Sequence, residues 1–450
     1  MTNGVIWKQL LEFAMPLALG LLFQQLYNTV DTIVVGRFVG KEALAAVGGT
    51  GSIINTLVGI CAGLSTGASV VISQCYGAHD YDRLHDAVHT TIVLTIIMCV
   101  IATIIGTIGV PAMLRMMDTP DDVLSQAQEY LTIYFAGIAG LLVYNMGSGI
   151  LRAVGDSKRP LYFLCFSAIV NVVLDLLFVI KFNMGIAGVG YATIISQFLS
   201  AILVMYVLTH TNAPYRLFWK QLRIKAEVLK QILSVGFPAA IQQGITAFSN
   251  VFVQSYINAF GSACMAGWSS FNKIDIYIMI PIQSLALTAT TFVGQNFGAN
   301  KLERANKGVA QSMLMALGFT AVLIVVMLFV RRPMLLLFSN DDEVIQYGMK
   351  FISMILPFYF ACCSIQVYAA ALRGIGKSTT AMIIMLSSFV AFRQIYLYVS
   401  KLLGGGLEFV ALSYPVGWVM CGILMFIFYR RSTLGRLGGR KNKPVTGGEV

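Results

Sequence analysis

An all-α membrane protein of twelve transmembrane helices, in two six-helix lobes related by a parallel internal repeat, is the fold class this sequence predicts. Three observations lead there. The 450 residues are 57% hydrophobic and 11% charged, with a mean hydropathy of +0.77, which is more apolar surface than a soluble fold of this length can bury. Twelve apolar stretches reach the roughly 20 residues needed to cross the hydrocarbon of a bilayer. LRAVGDSKRP at 151–160 returns 221 positions later as LRGIGKSTTA at 372–381, keeping its Leu, Arg, Gly and Ser.

The same shift pairs Gln74 with Gln295, Gly77 with Gly298, Ala78 with Ala299, Arg83 with Arg304, Val88 with Val309, Asp121 with Asp342 and Val123 with Val344. Duplicated halves are a known way of building transporters. Six helices is an even number, so the second half enters from the same side as the first. The halves are then parallel repeats about an axis along the membrane normal, and the cleft between them is the expected pathway.

In chain order the stretches are 13–35, 43–75, 88–112, 130–151, 160–182 and 188–209, which make an N-lobe of residues 1–209. A polar, basic linker follows at 210–231, HTNAPYRLFWKQLRIKAEVLKQ, whose latter part has the spacing of an amphipathic helix on the inner surface. The C-lobe, 232–430, holds the stretches 232–258, 264–294, 308–330, 350–372, 379–402 and 408–430, and residues 431–450 form a tail. Pro16 and Pro238 fall at matching places in the first and seventh helices, and each removes a backbone hydrogen bond. They suit bending, or are ordinary tolerated membrane-helix prolines.

Orientation follows from Lys and Arg. With the N-terminus inside, Arg37, Lys41, Arg115, Lys181, Arg331, Arg332, Lys350 and Lys401 lie outside, while Lys273 and Arg393 lie within helices. All the remaining basic residues lie on the inner side, so both termini are expected to be cytoplasmic in a multi-pass plasma (inner) membrane protein. The net charge of +11 resides in inner loops and tail, which points to anionic membrane lipids and to no nucleic-acid partner. All eight Cys lie within or at the ends of apolar stretches, as small apolar fillers. The N-terminus lacks the organisation of a cleaved signal, so the first helix is kept.

An ionisable side chain inside a membrane helix costs at least ~2.5 kcal/mol on insertion scales and is a functional candidate by default. Asp31, Asp175, Lys273, Asp275 and Arg393 qualify. Counting at 1.5 Å per residue from the outer ends puts Asp31 and Asp175 about 10 Å deep, at one level. Asn171 shares the face of Asp175 one turn earlier, and Thr193 reaches a similar depth. Two carboxylates, an amide oxygen and a hydroxyl make a hard-cation site, or a proton site if burial favours the neutral acid. Gln24, Tyr27 and Asn28 share the face of Asp31 and either line a cavity or satisfy one another. Lys273, Asp275 and Arg393 lie near the midplane, about 15 Å deep. Lys273 and Asp275, two apart, point to different faces, so Asp275 is expected to pair with Arg393, as a structural pair or in a substrate or gating role.

The twelve-helix, two-lobed pattern has QCYGAHDYDR after the second helix, QNFGANKLER after the eighth, and RAVGDS and RGIGKS after the fourth and tenth. With these the chain resembles the multidrug and toxic compound extrusion (MATE) family in its bacterial, DinF-like branch, over roughly residues 10–430. The loops themselves read as structural: glycines for turns, Asp156 or Ser157 as a helix cap, Arg83 and Arg304 on helix-end carbonyls. The resemblance implies a cation site, for Na⁺ or H⁺, at Asp31, Asn171, Asp175 and Thr193, which match an Asp on helix 1, an Asn and Asp one turn apart on helix 5, and a Thr on helix 6. It adds Asn145 as a further polar member, although depth counting places Asn145 low. Some branches of the family carry acidic residues on helices 7 and 10, where this chain has Asn250, Gln254, Gln366 and Tyr368. That departure disfavours a second cation site in the C-lobe.

The function expected is a secondary antiporter, a monomer without cofactor, that exports amphipathic, often cationic, organic molecules in exchange for Na⁺ or H⁺. The alternative is a flippase for lipid-linked precursors, kept open by Lys273 and Arg393. Met146, Tyr144, Tyr256, Met279, Tyr359 and Tyr368 either form an adaptable wall for varied compounds or face lipid and neighbouring helices. No GxxxxGK[ST] loop is present, and no nucleophile with its base stands out, so an enzyme is not expected.

Overall fold

A computed structural model describes residues 1–117 and 119–437, with Lys41, Ala247, Phe248 and Val251 described by backbone alone. Most of the expected tail lies outside the described residues. Twelve long helices follow one another, and no strand occurs among the described residues. Helix α1 (Ile6–Val34) ends in a π-helical turn, Val35–Val39. Then come α2 (Lys41–Gly77) and α3 (Tyr81–Met116). Helix α4 runs as Asp121–Ala136 and Ile138–Ala153 with a 48° bend. Helix α5 (Lys158–Leu176) ends in a second π-helical turn, Leu177–Lys181, and α6 is Gly185–His210.

The second half opens with α7 (Ala226–Asn258), α8 (Ser262–Gly298) and α9 (Leu302–Leu336). Helix α10 is Asp342–Ile355 and Tyr359–Gly374 joined by a tight turn, Leu356–Phe358. Helix α11 is Ser378–Leu386 and Arg393–Leu402 joined by a π-helical segment, Ser387–Phe392, and α12 is Leu407–Arg431. Several outrun their apolar stretches, because backbone hydrogen bonding continues after the apolar residues stop. Pro16 and Pro238 lie inside α1 and α7 without ending them.

The repeat is written into the backbone. Left-handed φ occurs at Gly40 and Gly261, His79 and Asn300, Gly155 and Gly376, and Asn183 and Gly404, each pair at the sequence's own offset. Two of these pairs end helices in the same way, with the amide after the left-handed residue reaching back five residues. Asp80 N donates to Cys75 O at 3.1 Å and Lys301 N to Asn296 O at 2.8 Å; Asp156 N donates to Leu151 O at 2.9 Å and Lys377 N to Leu372 O at 2.8 Å. Asp156 then opens α5, its Oδ1 accepting from Lys158 N and Arg159 N at 3.2 and 3.1 Å. Asp80 opens α3 by accepting from Arg83 N at 3.0 Å.

Two compact units form, Glu12–Ala247 and the chain from Phe248 onward together with Met1–Leu11. The expected lobes, 1–209 and 232–430, follow the repeat instead. Packing explains the difference. Within the first unit the start of α7 lies so close to α2 that a Cβ on Gly63 would sit 2.3 Å from Ala240 N, and one on Gly67 2.4 Å from Ile232 O.

The linker is docked on the same unit. His89 Nε2 accepts from Phe218 N at 3.1 Å, Arg223 pairs with Asp86 at 2.6 Å, and Arg83 meets Glu227 at 3.8 Å. It holds only a short turn, Trp219–Gln221, and the surface helix expected in its latter part is the beginning of α7. In the second unit Arg304 donates to Gly4 O and Gln9 Oε1 at 2.8 and 2.9 Å, and Lys301 Nζ to Asn3 Oδ1 at 2.7 Å. Each repeat's basic loop thus clasps the beginning of the other repeat's first helix.

Candidate cation site

Within Glu12–Ala247, α1 and α5 carry the two carboxylates. Asp175 is fully buried and Asn171, one turn before it, is 2% exposed; Asp31 is half-buried. Each Asp is followed within one turn by a π-helical turn, and the two π turns touch. A π turn widens the helix by one residue and re-aims the side chains beside it. The carboxyl groups of Asp31 and Asp175 come within hydrogen-bonding reach of each other. Thr193, on α6 packed against α5, donates to Val189 O at 2.9 Å and keeps lone pairs free.

Four oxygens here are buried without a hydrogen-bond partner: Asp31 Oδ1, both Asp175 oxygens and Asn171 Oδ1. A buried carboxylate without donors loses its hydration with nothing in return, and two in contact repel as well. A shared proton or a bound cation relieves both costs. Among the described residues no group of three or more His, Cys, Asp or Glu gathers to hold a metal. The unsatisfied acceptors of Asp31, Asp175 and Asn171 are all oxygen, a chemistry that suits a hard monovalent ion or a proton.

Around it stand three tyrosines, of which the sequence places only Tyr27 on the face of Asp31. Tyr130 and Tyr134 are buried one turn apart on α4, with ring centroids 6.2 Å apart. Tyr27 and Tyr130 lie within electrostatic range of both carboxylates. The available signal was the four-residue spacing of Tyr130 and Tyr134 in the outer part of an apolar stretch. Tyr144, expected either in a wall for varied compounds or against neighbouring helices, donates to Pro160 O at 3.0 Å. Gln24 is half-buried and Asn28 exposed. The Asn145 side chain is turned back on its own helix, donating to Leu141 O at 2.9 Å.

In the second unit the three central charges do not pair as expected. Asp275 accepts from the Tyr359 hydroxyl. Arg393 donates to Ser249 Oγ and Asn250 Oδ1 at 2.6 and 3.0 Å and lies 4.9 Å from the Tyr414 ring centroid. Lys273 is exposed, 5.1 Å from the Phe338 ring centroid. No Asp275–Arg393 ion pair forms among the described residues. The cause is rotational: Arg393 directly follows the π-helical Ser387–Phe392, which turns it toward α7.

The MatE family model matches residues 16–177 and again 238–399, so both halves carry the same signature. The probable multidrug resistance protein YpnP of Bacillus subtilis is 28% identical over 432 residues, covering 95% of this chain and 96% of that protein. The FAD transporter of Shewanella oneidensis is 22% identical over 95% of both chains. An outward-facing multidrug resistance MATE family transporter of the MOP superfamily is similar in structure, with a TM-score of 0.91, 23% identity and coverage of 98% of both chains. With a double match spanning most of its length, the chain belongs to the MATE family of membrane transporters.

Proposed function

We propose that Asp31, Asn171, Asp175 and Thr193 form the coupling site of an efflux antiporter, where Na⁺ or H⁺ enters in exchange for an organic compound leaving the cell. Family membership supplies the frame: a multi-pass membrane transporter, not an enzyme, that drives export of small organic molecules by ion exchange. Relatives named for multidrug resistance favour drug efflux over the lipid-linked flippase alternative. One relative is named for FAD, which leaves the choice of compound to each protein's own cavity.

The observation that carries the site is the set of four buried, partnerless oxygens on Asp31, Asn171 and Asp175. An ion held there and a cationic drug compete for the same negative charge, and that competition links influx to efflux. Tyr27, Tyr130 and Tyr134 give the drug an aromatic wall beside that charge. Location in the inner membrane with cytoplasmic termini rests on the distribution of Lys and Arg. A cationic dye loaded into proteoliposomes, with Na⁺ and H⁺ gradients imposed separately, tests the reading. One of the gradients is expected to drive the dye, and failure of both to do so rejects it.

A further inference from the structure

Arg393 is 3% exposed, its Nε is buried with no hydrogen-bond partner, and no carboxylate pairs with it among the described residues. Its hydrogen bonds go to the neutral oxygens of Ser249 and Asn250, and the face of the guanidinium rests on Tyr414. Asp275, the acidic residue expected to balance it, is engaged by Tyr359 instead. A buried positive charge needs a counter-charge, and a neutral hydroxyl and amide do not supply one.

A simple staple between α7 and α11 would not need this charge. Ser249 Oγ donates to Phe389 O at 2.8 Å, and the neutral Gln394 donates to Ser249 Oγ at 3.2 Å, so the two helices are already tied by uncharged groups. Asn250, which shares the guanidinium, is exposed and carries the cluster from the buried charge to accessible surface. The π-helical Ser387–Phe392 directly before Arg393 is the kind of irregularity that aims a side chain at a ligand.

We infer that Arg393, backed by Tyr414 and flanked by Asn250, is the recognition site in this unit for an anionic group, a carboxylate or phosphate, on an organic compound. Such a group would meet the free Nε–H, supply the missing negative charge and receive charge-assisted hydrogen bonds of the kind arginine makes with oxyanions. This rests on the reading of the chain as an exporter of organic compounds and adds anionic compounds to its range.

The test uses the full-length protein in detergent and two related dyes, fluorescein, which carries a carboxylate, and rhodamine 6G, in which that carboxylate is esterified and the ring system is cationic. Fluorescence anisotropy gives both affinities. Arg393→Gln is expected to weaken fluorescein by about tenfold or more while rhodamine 6G stays within about twofold. Equal weakening of both dyes makes Arg393 a structural residue and overturns the inference, as does no change in either or no saturable fluorescein binding to the wild type. If Arg393→Gln does not fold, Arg393→Lys carries the test. It keeps the charge but loses the fork, so fluorescein should weaken by about threefold, and no selective loss overturns the inference. Rhodamine 6G efflux from wild-type proteoliposomes is the separate check on the exporter reading, so the two can fail independently.

Discussion

Asp175 has neither of its oxygens satisfied while lying fully buried beside Asp31, an arrangement that holds together best with a positive charge between the two carboxyls. Asp31→Asn and Asp175→Asn should each lower gradient-driven efflux by at least about tenfold, because an amide cannot hold the coupling charge. Neither should unfold the protein, since each relieves repulsion. Full ion-driven transport by either variant, at normal membrane levels, would sink the site. A second measurement reads binding directly. The coupling cation should raise the wild-type Tm with concentration, as any ligand of the native state does, and Asp175→Asn should abolish that rise; an unchanged rise places the ion elsewhere. These residues were legible in the sequence because charge inside an apolar stretch is rare and depth can be counted along a helix. The partner of Arg393 was not, because depth says nothing of direction around the axis. Tyr130 and Tyr134 were not either, since aromatic residues one turn apart look the same in a core as beside a site.

At the scale of helices, the sequence marks where apolar character begins and ends but not which neighbour a helix chooses. The start of α7 reads as a surface helix because its basic residues alternate with apolar ones. Its contact with α2 depends on two glycines whose missing side chains are invisible to a hydropathy count. Gly63→Ala would place a methyl group against backbone rather than against a side chain that can move, and Gly67→Ala does the same. Each should cost about 1–3 kcal/mol and lower the Tm. Detergent-solubilised protein followed by tryptophan fluorescence provides the check, and unaltered melting in both variants would mean that α2 and α7 can part at no cost. The three π-helical segments, Val35–Val39, Leu177–Lys181 and Ser387–Phe392, had no sequence signal at all. Two of them contain neither Gly nor Pro, and each lies within about one turn of a charge set inside its helix.

For the molecule as a whole, the number of helices and the duplication were legible because both are sums over long stretches, in which local errors cancel. The boundaries of the compact units were not, since they fall inside α1 and α7, where the chain has no compositional break. Orientation rests on charge alone. A single cysteine at position 220 should resist a membrane-impermeant thiol reagent in intact cells and react after permeabilisation, and labelling of intact cells would invert the assignment. Position 220 is chosen because the linker around it is docked through His89, Asp86 and Thr90, so its side of the membrane is that of the end of α3 that carries these residues.

The paired left-handed residues have a consequence for how the two halves diverged. His79 faces Asn300 in the repeat, and Asn183 faces Gly404, so at these positions inheritance kept a chain reversal and let the residue drift among those that tolerate it. What was copied was a conformation. Residues with short polar side chains enter this region at little cost, whereas other L-residues cost roughly 1–2 kcal/mol there. His79→Asn, which imports the residue of the sister half, should therefore melt at or above the wild-type temperature. His79→Val, equally small but β-branched, should melt below it. A reconstruction of the ancestral half-protein would then be anchored better by the sign of φ at these four places than by the amino acids that now occupy them.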